Sequence, residues 1–270
     1  MGETVPALGQ GTWQMTEVAN RRDTEIEALR LGLELGLNLI DTAEMYGDGA
    51  AEELVGEAIE GHRDEVFLVS KVYPHNASCR DVTLACERSL KRLRTDRLDL
   101  YLLHWRGSVP LDETVAGFEE LRQAGKIRHW GVSNFDTSDM HDLFRATAGT
   151  NCATNQVLYN VTRRGPEFDL VPWMADRRMP LMAYSPIAQG RLPKSGTLQT
   201  IASKHGASPF QVALAWLLSK PGVIAIPKAG RPEHVRENYR ALAIDLDPED
   251  LQQIDAGFPP PTRKRPLEMI

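Results

Sequence analysis

Cysteine is scarce in this chain: Cys79, Cys86 and Cys152 are the only three among 270 residues. Their odd number, wide spacing and lack of any C-x-x-C pair argue against a disulfide framework or a cysteine zinc site. They fit packing residues in a reducing compartment. Long apolar runs are missing too. No stretch is long enough to span a bilayer, and the opening MGETVPALGQGTW has no apolar core of the kind a signal peptide needs. The chain is therefore expected to be cytoplasmic, with no membrane partner. Positive charge is in deficit, with 31 Lys and Arg against 37 Asp and Glu and a formal charge of -6. That balance speaks against a nucleic-acid partner, because such domains carry a basic excess to neutralise phosphates.

Familiar chemical signatures are absent as well. No serine or cysteine nucleophile motif is visible, and there is neither a G-x-x-x-x-G-K-[ST] phosphate loop nor an H-E-x-x-H pair, so no metal is expected. GQGTWQ at 9–14 and GDGAAE at 47–52 both lack the third glycine of G-x-G-x-x-G. Any dinucleotide would have to bind without that fingerprint.

Short apolar runs are present, and they recur. After an opening strand over 7–12 they fall near Leu39, Leu68, Leu102, Val132, Gln156, Met182 and Ala225, mostly about thirty residues apart, the length of one strand plus one helix. Between them lie segments of helical periodicity such as DTEIEALRLGLELG, DETVAGFEELRQAG and SPFQVALAWLLSK. Asp23, Ser78, Asp112, Thr137 and Ser208 sit where N-caps are wanted, with Pro209 at a first-turn position. Gly36, Gly61 and Gly125 sit at helix ends. Eight strands alternating with helices and no composition break predict one α/β domain over 1–270, a (β/α)8 TIM barrel, with a doubly wound sheet as the structural alternative. The stretch 185–199 reads as a loop over the barrel mouth, and 231–257 leaves room for an extra helix. The basic, proline-rich tail 258–270 reads either as an extended segment on the surface or as a poorly ordered terminus.

Three of the runs end in residues able to do acid chemistry: LGLNLIDTAEMY carries Asp41 and Tyr46, EVFLVSK carries Lys71, and RLDLYLLH carries His104. In a barrel of parallel strands those ends meet on the rim that builds active sites. A phenol is a poor acid at neutral pH unless something favours its anion, and the Lys71 ammonium, held by Asp41, would do that. Tyr46 could then protonate a developing alkoxide while a neutral His104 positions the carbonyl oxygen. Taken singly, a tyrosine there is usually packing and an aspartate a cap. Lys228 and Arg231 ahead of a helix starting at Pro232 make an anion site, or else are solvated loop charges. Ser133, Asn134 and Gln156 could bond a carboxamide and Tyr184 could stack on a nicotinamide ring, although Asn155 or Gln156 could equally satisfy barrel backbone. Trp13, Tyr73 and Trp105 would wall an apolar substrate pocket.

GQGTW, DTAEMYG, VSK, LDLYLLHW, GKIRHWGVSNF, NQVLYN, AYSP and IPKA together resemble the aldo-keto reductase family, in its order and spacing over nearly the whole chain. The resemblance is closest to the short prokaryotic branch that reduces methylglyoxal, other small aldehydes or diketogulonate-type sugar acids. It implies an (α/β)8 barrel binding extended NADPH, with NADH as a possible substitute, and Asp41, Tyr46, Lys71 and His104 as a catalytic tetrad acting on a small carbonyl compound. It further implies cofactor contacts from Gly11, Thr12, Trp13 and Asp41, from Ser133, Asn134 and Gln156, and from Tyr184, Ser185, Pro186 and Gln189. A last group comprises Lys228, Ala229, Arg231, His234, Glu237 and Asn238. Where the family often has serine or threonine and then arginine on the adenosine 2′-phosphate, this chain has Ala229 and His234. Arg231 is left to substitute, Glu237 and Asn238 match the family's adenine-contacting positions, and Lys228 together with Arg231 predicts a modest preference for NADPH. The short stretch beyond Gly257 predicts an open, permissive mouth. Two other readings of such a barrel are a nicotinamide-sensing regulatory subunit and a sugar-phosphate enzyme.

Overall fold

Each apolar run becomes a strand, and the helical stretches return the chain between them. The computed structural model describes residues 3–18, 20–193 and 196–270. The first two residues of the opening stretch and residues 194 and 195 of the loop expected over 185–199 lie outside that description. Eight strands lie parallel in chain order: β1 (Gln10–Gly11), β2 (Leu39–Asp41), β3 (Phe67–Val72), β4 (Leu98–Leu103), β5 (Ile127–Ser133), β6 (Asn155–Leu158), β7 (Leu181–Tyr184) and β8 (Val223–Ala225). The helices are α1 (Arg22–Glu34), α2 (Ala50–Ala58), α3 (Cys79–Leu93), α4 (Leu111–Gln123), α5 (Thr137–Arg145), α6 (Leu170–Asp176), α7 (Gly196–Lys204), α8 (Pro209–Leu218), α9 (Pro232–Arg240) and α10 (Pro248–Gly257). None is long and apolar enough to cross a membrane, among the described residues.

The sheet curls until its first and last strands meet. Parallel bridges join Leu8 to Ala225 and Gly11 to Lys228, and the Gly11 N–H donates to the Pro227 carbonyl at 3.1 Å. Alternation along each strand then sorts side chains between two cores. Leu39, Val69, Leu100, Leu102, Met182, Ile224 and Ile226 pack together inside the curl. Ile40, Leu68, Tyr101, Val157, Leu181 and Val223 point outward into a larger core under the helices.

Register carries this inward parity up to the rim in steps. Asp41 pairs with Val69, so Lys71 lies one inward position further along β3; Lys71 pairs with Leu102, so His104 lies one further still beyond β4. This stagger is that of strands tilted in a barrel.

Local chemistry explains most helix ends. Ser78 accepts from the Asp81 N–H, and Ser208 forms a capping box with Gln211 ahead of Pro209. Gly36, Gly61 and Gly125 take positive φ of 83°, 82° and 72°. Three expected caps move. Arg21 and not Asp23 precedes α1, and Pro110 and not Asp112 precedes α4. Asp112 instead accepts from the Thr147 N–H at 3.1 Å. At α5 the cap is Asp136, which forms a capping box with Asp139, while Thr137 is the first helical residue. The loop expected over 185–199 is shorter, because α7 already starts at Gly196. β8 ends at Ala225, before Lys228. The room foreseen in 231–257 is filled by α9 ahead of α10.

Candidate active site

Lys71 is the hub. Its side chain is fully buried, and its Nζ donates to Asp41 Oδ2 at 2.7 Å, to the Thr42 carbonyl at 2.9 Å and to the Tyr46 hydroxyl at 3.0 Å. Three acceptors match the three protons of an ammonium. Asp41 is fixed from the far side of the barrel as well, where Gln156 Nε2 donates to Oδ1 at 2.7 Å. Tyr46 is delivered by a left-handed turn, Gly47, Asp48 and Gly49 having φ of 58°, 52° and 93°. A side chain at Gly47 would meet Thr16 Oγ1 at 2.9 Å.

Burial raises the Tyr46 pKa and the Lys71 charge lowers it, with a net displacement upward. The ammonium therefore does not turn this phenol into an anion in the resting protein. It keeps its proton and points its oxygen at the cation. For Lys71, burial acts downward, but the Asp41 carboxylate and the Tyr46 oxygen outweigh it and hold the amine charged. His104 is pushed well below the usual histidine range, first by burial and then by the charge of Lys71, so the imidazole is neutral. Its Nδ1 is buried with no hydrogen-bond partner. A lone pair left bare there is tolerated better than an unmatched N–H, which favours the tautomer carrying its proton on Nε2.

Asp41, Tyr46 and His104 line a cavity of about 620 Å³, within the range of ligand pockets. Trp13, Met45, Tyr46, His104 and Trp105 form one end. Ser133, Asn134, Gln156 and Tyr184 follow along the rim, then Ser185, Pro186 and Gln189; Lys228, Gly230, His234, Glu237 and Asn238 lie beyond them, with Gly11 on the wall. The amide of Asn134 donates to the His104 carbonyl at 3.1 Å and accepts from the Tyr184 hydroxyl at 2.8 Å. Ser133 donates to the Gln156 carbonyl at 2.8 Å. Asn155 is spent on the backbone of Phe135.

Five expected site residues stand off the cavity, Lys71 among them, since it is fully buried and reaches the cavity only through Asp41 and Tyr46. Thr12 is fully buried and donates to the Asp41 carbonyl at 3.0 Å. Tyr73 is turned away, edge-on to Trp105 and stacked on His75, with its N–H held by the buried Glu44 carboxylate at 2.8 Å. Ala229 faces the core and Arg231 faces solvent, capping α9. Of the residues that do line it, Gln14, Met45, Ile187, Gly190, Ser208, Phe210, Gln211, Ile226, Gly230, Met269 and Ile270 were not foreseen. The rim position of α8 could have been inferred from its Ser208–Pro209 cap. The tail carries no such signal: it is tied down by Lys264 on Asp169 at 2.9 Å and Arg163 on Glu268 at 3.1 Å. It brings Met269 and Ile270 into the cavity wall.

A curled sheet of parallel strands with a buried lysine–carboxylate–phenol cluster beside a long rim cavity defines an α/β-barrel of oxidoreductase type. The chain belongs to the aldo/keto reductase family, whose model matches residues 7–257. It is 54% identical to the methylglyoxal reductase YeaE of Escherichia coli over 99% of this chain and 96% of that protein, and 34% identical to a Bacillus subtilis glyoxal reductase over 94% and 90%. A Klebsiella pneumoniae aldo/keto reductase solved with NADP and acetate superposes with a TM-score of 0.96 at 53% identity, over 98% of this chain and 96% of that one.

Proposed function

We propose that the protein reduces small aldehydes and ketones of the methylglyoxal type to alcohols with NADPH, Tyr46 acting as general acid. The observation that carries this reading is the Lys71 ammonium bonded at once to Asp41 and Tyr46 on the wall of a cavity long enough to continue to Lys228 and Asn238. The reading takes residues 1–270 as one (β/α)8 domain, supported by the family match over 7–257 and the bridges between the two end strands. It also places the enzyme in the cytoplasm, a view supported by the three free cysteines.

The donor set fits the cofactor. Gln156 spends its amide N–H on Asp41 and keeps its oxygen, Asn134 and Ser133 lie next to it, and Lys228 offers the positive charge a phosphate wants. When bound, NADPH supplies the hydride that goes to the carbonyl carbon. His104, with its proton on Nε2, donates to the carbonyl oxygen and orients it toward Tyr46. The Tyr46 hydroxyl gives up its proton as charge grows on that oxygen, and the Lys71 ammonium, 3.0 Å away, stabilises the phenolate left behind. Trp13, Met45 and Trp105 keep water from this end of the pocket.

A modest preference for NADPH over NADH rests on Lys228, since Arg231 faces away. Small uncharged carbonyl compounds are preferred to keto-sugar-acids, because Lys228 is the one lysine or arginine among the described cavity-lining residues, and it lies beyond the carboxamide end. The test is Tyr46→Phe, followed by NADPH absorbance with methylglyoxal and with a keto acid. Turnover should fall by at least about 10²-fold with cofactor binding retained. Near-wild-type turnover in the variant would sink the assignment.

A further inference from the structure

Tyr46 must stand a hydrogen bond's length from Lys71, yet the two belong to different elements, and a buried carboxylate with no part in the chemistry lies behind both of them. Glu52 is in the first turn of α2, the helix that follows the left-handed turn carrying Tyr46. Its side chain is fully buried and stands off the cavity. Oε1 accepts from the Ser70 hydroxyl at 2.5 Å, and Oε2 accepts from Nε of Arg92, on α3, at 2.6 Å. Ser70 precedes Lys71 on β3, so its side chain leaves the opposite side of the sheet.

This carboxylate replaces a cap. The residue ahead of α2 is Gly49, with no side chain to bond the first N–H groups of the helix, and the turn before it runs through Gly47, Asp48 and Gly49 at positive φ. The start of α2 is therefore held from outside. The Glu52–Ser70 bond ties it to β3 at the residue next to Lys71. Arg92, drawn in by the same carboxylate, lies against the turn itself: a β-carbon on Gly49 would meet its Cδ at 2.5 Å. Burial pushes the Glu52 carboxyl upward against the pull of Arg92, and a buried pair of this kind adds little net stability after its desolvation cost. What it supplies here is a fixed relation between α2, α3 and β3.

We infer that Glu52 is a positioning residue for the reduction, clamping α2 to β3 and α3 so that the Tyr46 hydroxyl is held at its bonding distance from the Lys71 ammonium. The inference rests on the reading of Tyr46 as general acid. Glu52 acts through Ser70 and Arg92 and touches no group that lines the cavity's cofactor end. Without it the turn carrying Tyr46 drifts, and proton delivery lags behind hydride transfer, since a small misplacement of a reacting group slows its step steeply. The cavity residues from Ser133 to Asn238 stay in place.

The experiment compares wild type, Glu52→Ala, Glu52→Gln and Ser70→Ala in methylglyoxal reduction by NADPH, run in H2O and in D2O. Fluorescence quenching gives NADPH dissociation constants, and far-UV circular dichroism confirms folding. Glu52→Ala and Ser70→Ala should lower kcat/KM for methylglyoxal about tenfold, raise the solvent isotope effect on it and leave NADPH binding unchanged, while Glu52→Gln, which keeps an oxygen for Ser70, should stay within about threefold of wild type. A merely structural role predicts otherwise, because loss of folded molecules lowers turnover and leaves the isotope effect as it was. Folded Ala variants with wild-type kcat/KM, a loss with no larger isotope effect, or a Gln variant as impaired as Glu52→Ala overturns the inference while the general-acid reading stands. Should Glu52→Ala fail to fold, Ser70→Ala decides by the same criteria. A Tyr46→Phe variant as active as wild type overturns both.

Discussion

His104 shows how one residue's surroundings decide its role. An imidazole walled in by protein and facing the Lys71 ammonium cannot take a second proton without placing two cations side by side in a poorly solvating interior. It is therefore a hydrogen-bond donor and not an acid. The same displacement makes it a liability in mild acid. Below the ordinary histidine value of 6.5 the unfolded chain gains a proton that the folded chain refuses. The stability His104 contributes is thus whole above that pH and is lost as the pH falls toward its lowered folded value. Unfolding free energies of wild type and His104→Gln, measured by urea titration at pH 7.5 and 5.5, should show the wild type losing more on acidification. Equal losses would mean that His104 is protonated in the folded protein.

At the level of elements, the site is a consequence of register. Asp41, Lys71 and His104 share inward parity on successive strands, each one inward step higher than the last, and the tilt of the strands converts those steps into convergence. The pattern was legible because Asp41, Tyr46, Lys71 and His104 follow neighbouring apolar runs together, although each alone has a commoner structural use. Helix starts were less legible. In FDTSDMHDLF both Asp136 and Thr137 are cap-forming types, and what decides between them is the extended backbone at Asp136, with φ of -78° and ψ of 178°, which only the folded β5–α5 connection sets. Asp136→Ala should therefore destabilise the protein by about 1 kcal/mol, and Thr137→Ala by well under half of that, in urea unfolding. A larger effect at Thr137 would contradict the assigned cap. Tyr73 failed for a related reason. Strand-end position alone does not reveal that a buried carboxylate, Glu44, grips the loop and turns the ring away. The α7 start and the path of the tail were illegible, since glycine-, proline- and serine-rich segments carry little periodicity and the ion pairs that hold the tail, Lys264–Asp169 and Arg163–Glu268, are long-range.

For the whole molecule the weakest seam is the one that closes the sheet. β1 is two residues long, and its junction with β8 depends on a few backbone bonds: Gly9 N–H to the Ala225 carbonyl at 2.8 Å, Ala225 N–H to the Ala7 carbonyl at 2.8 Å, and Gly11 N–H to the Pro227 carbonyl at 3.1 Å. Gly11 permits this approach, since a β-carbon there would sit 2.6 Å from the Ile226 carbonyl oxygen. That obstacle is backbone and cannot rotate aside, so Gly11→Ala must push β1 away from β8. The displacement would carry Trp13 with it and pull Lys228, which pairs with Gly11 across the seam. Both ends of the cavity are thereby tied to one methyl-sized gap. Gly11→Ala should lose about 1–3 kcal/mol of stability and, in the molecules still folded, weaken dinucleotide and carbonyl binding together. Thermal unfolding combined with KM for each ligand measures this. A variant as stable as wild type with both KM values unchanged would show that the seam carries no such strain.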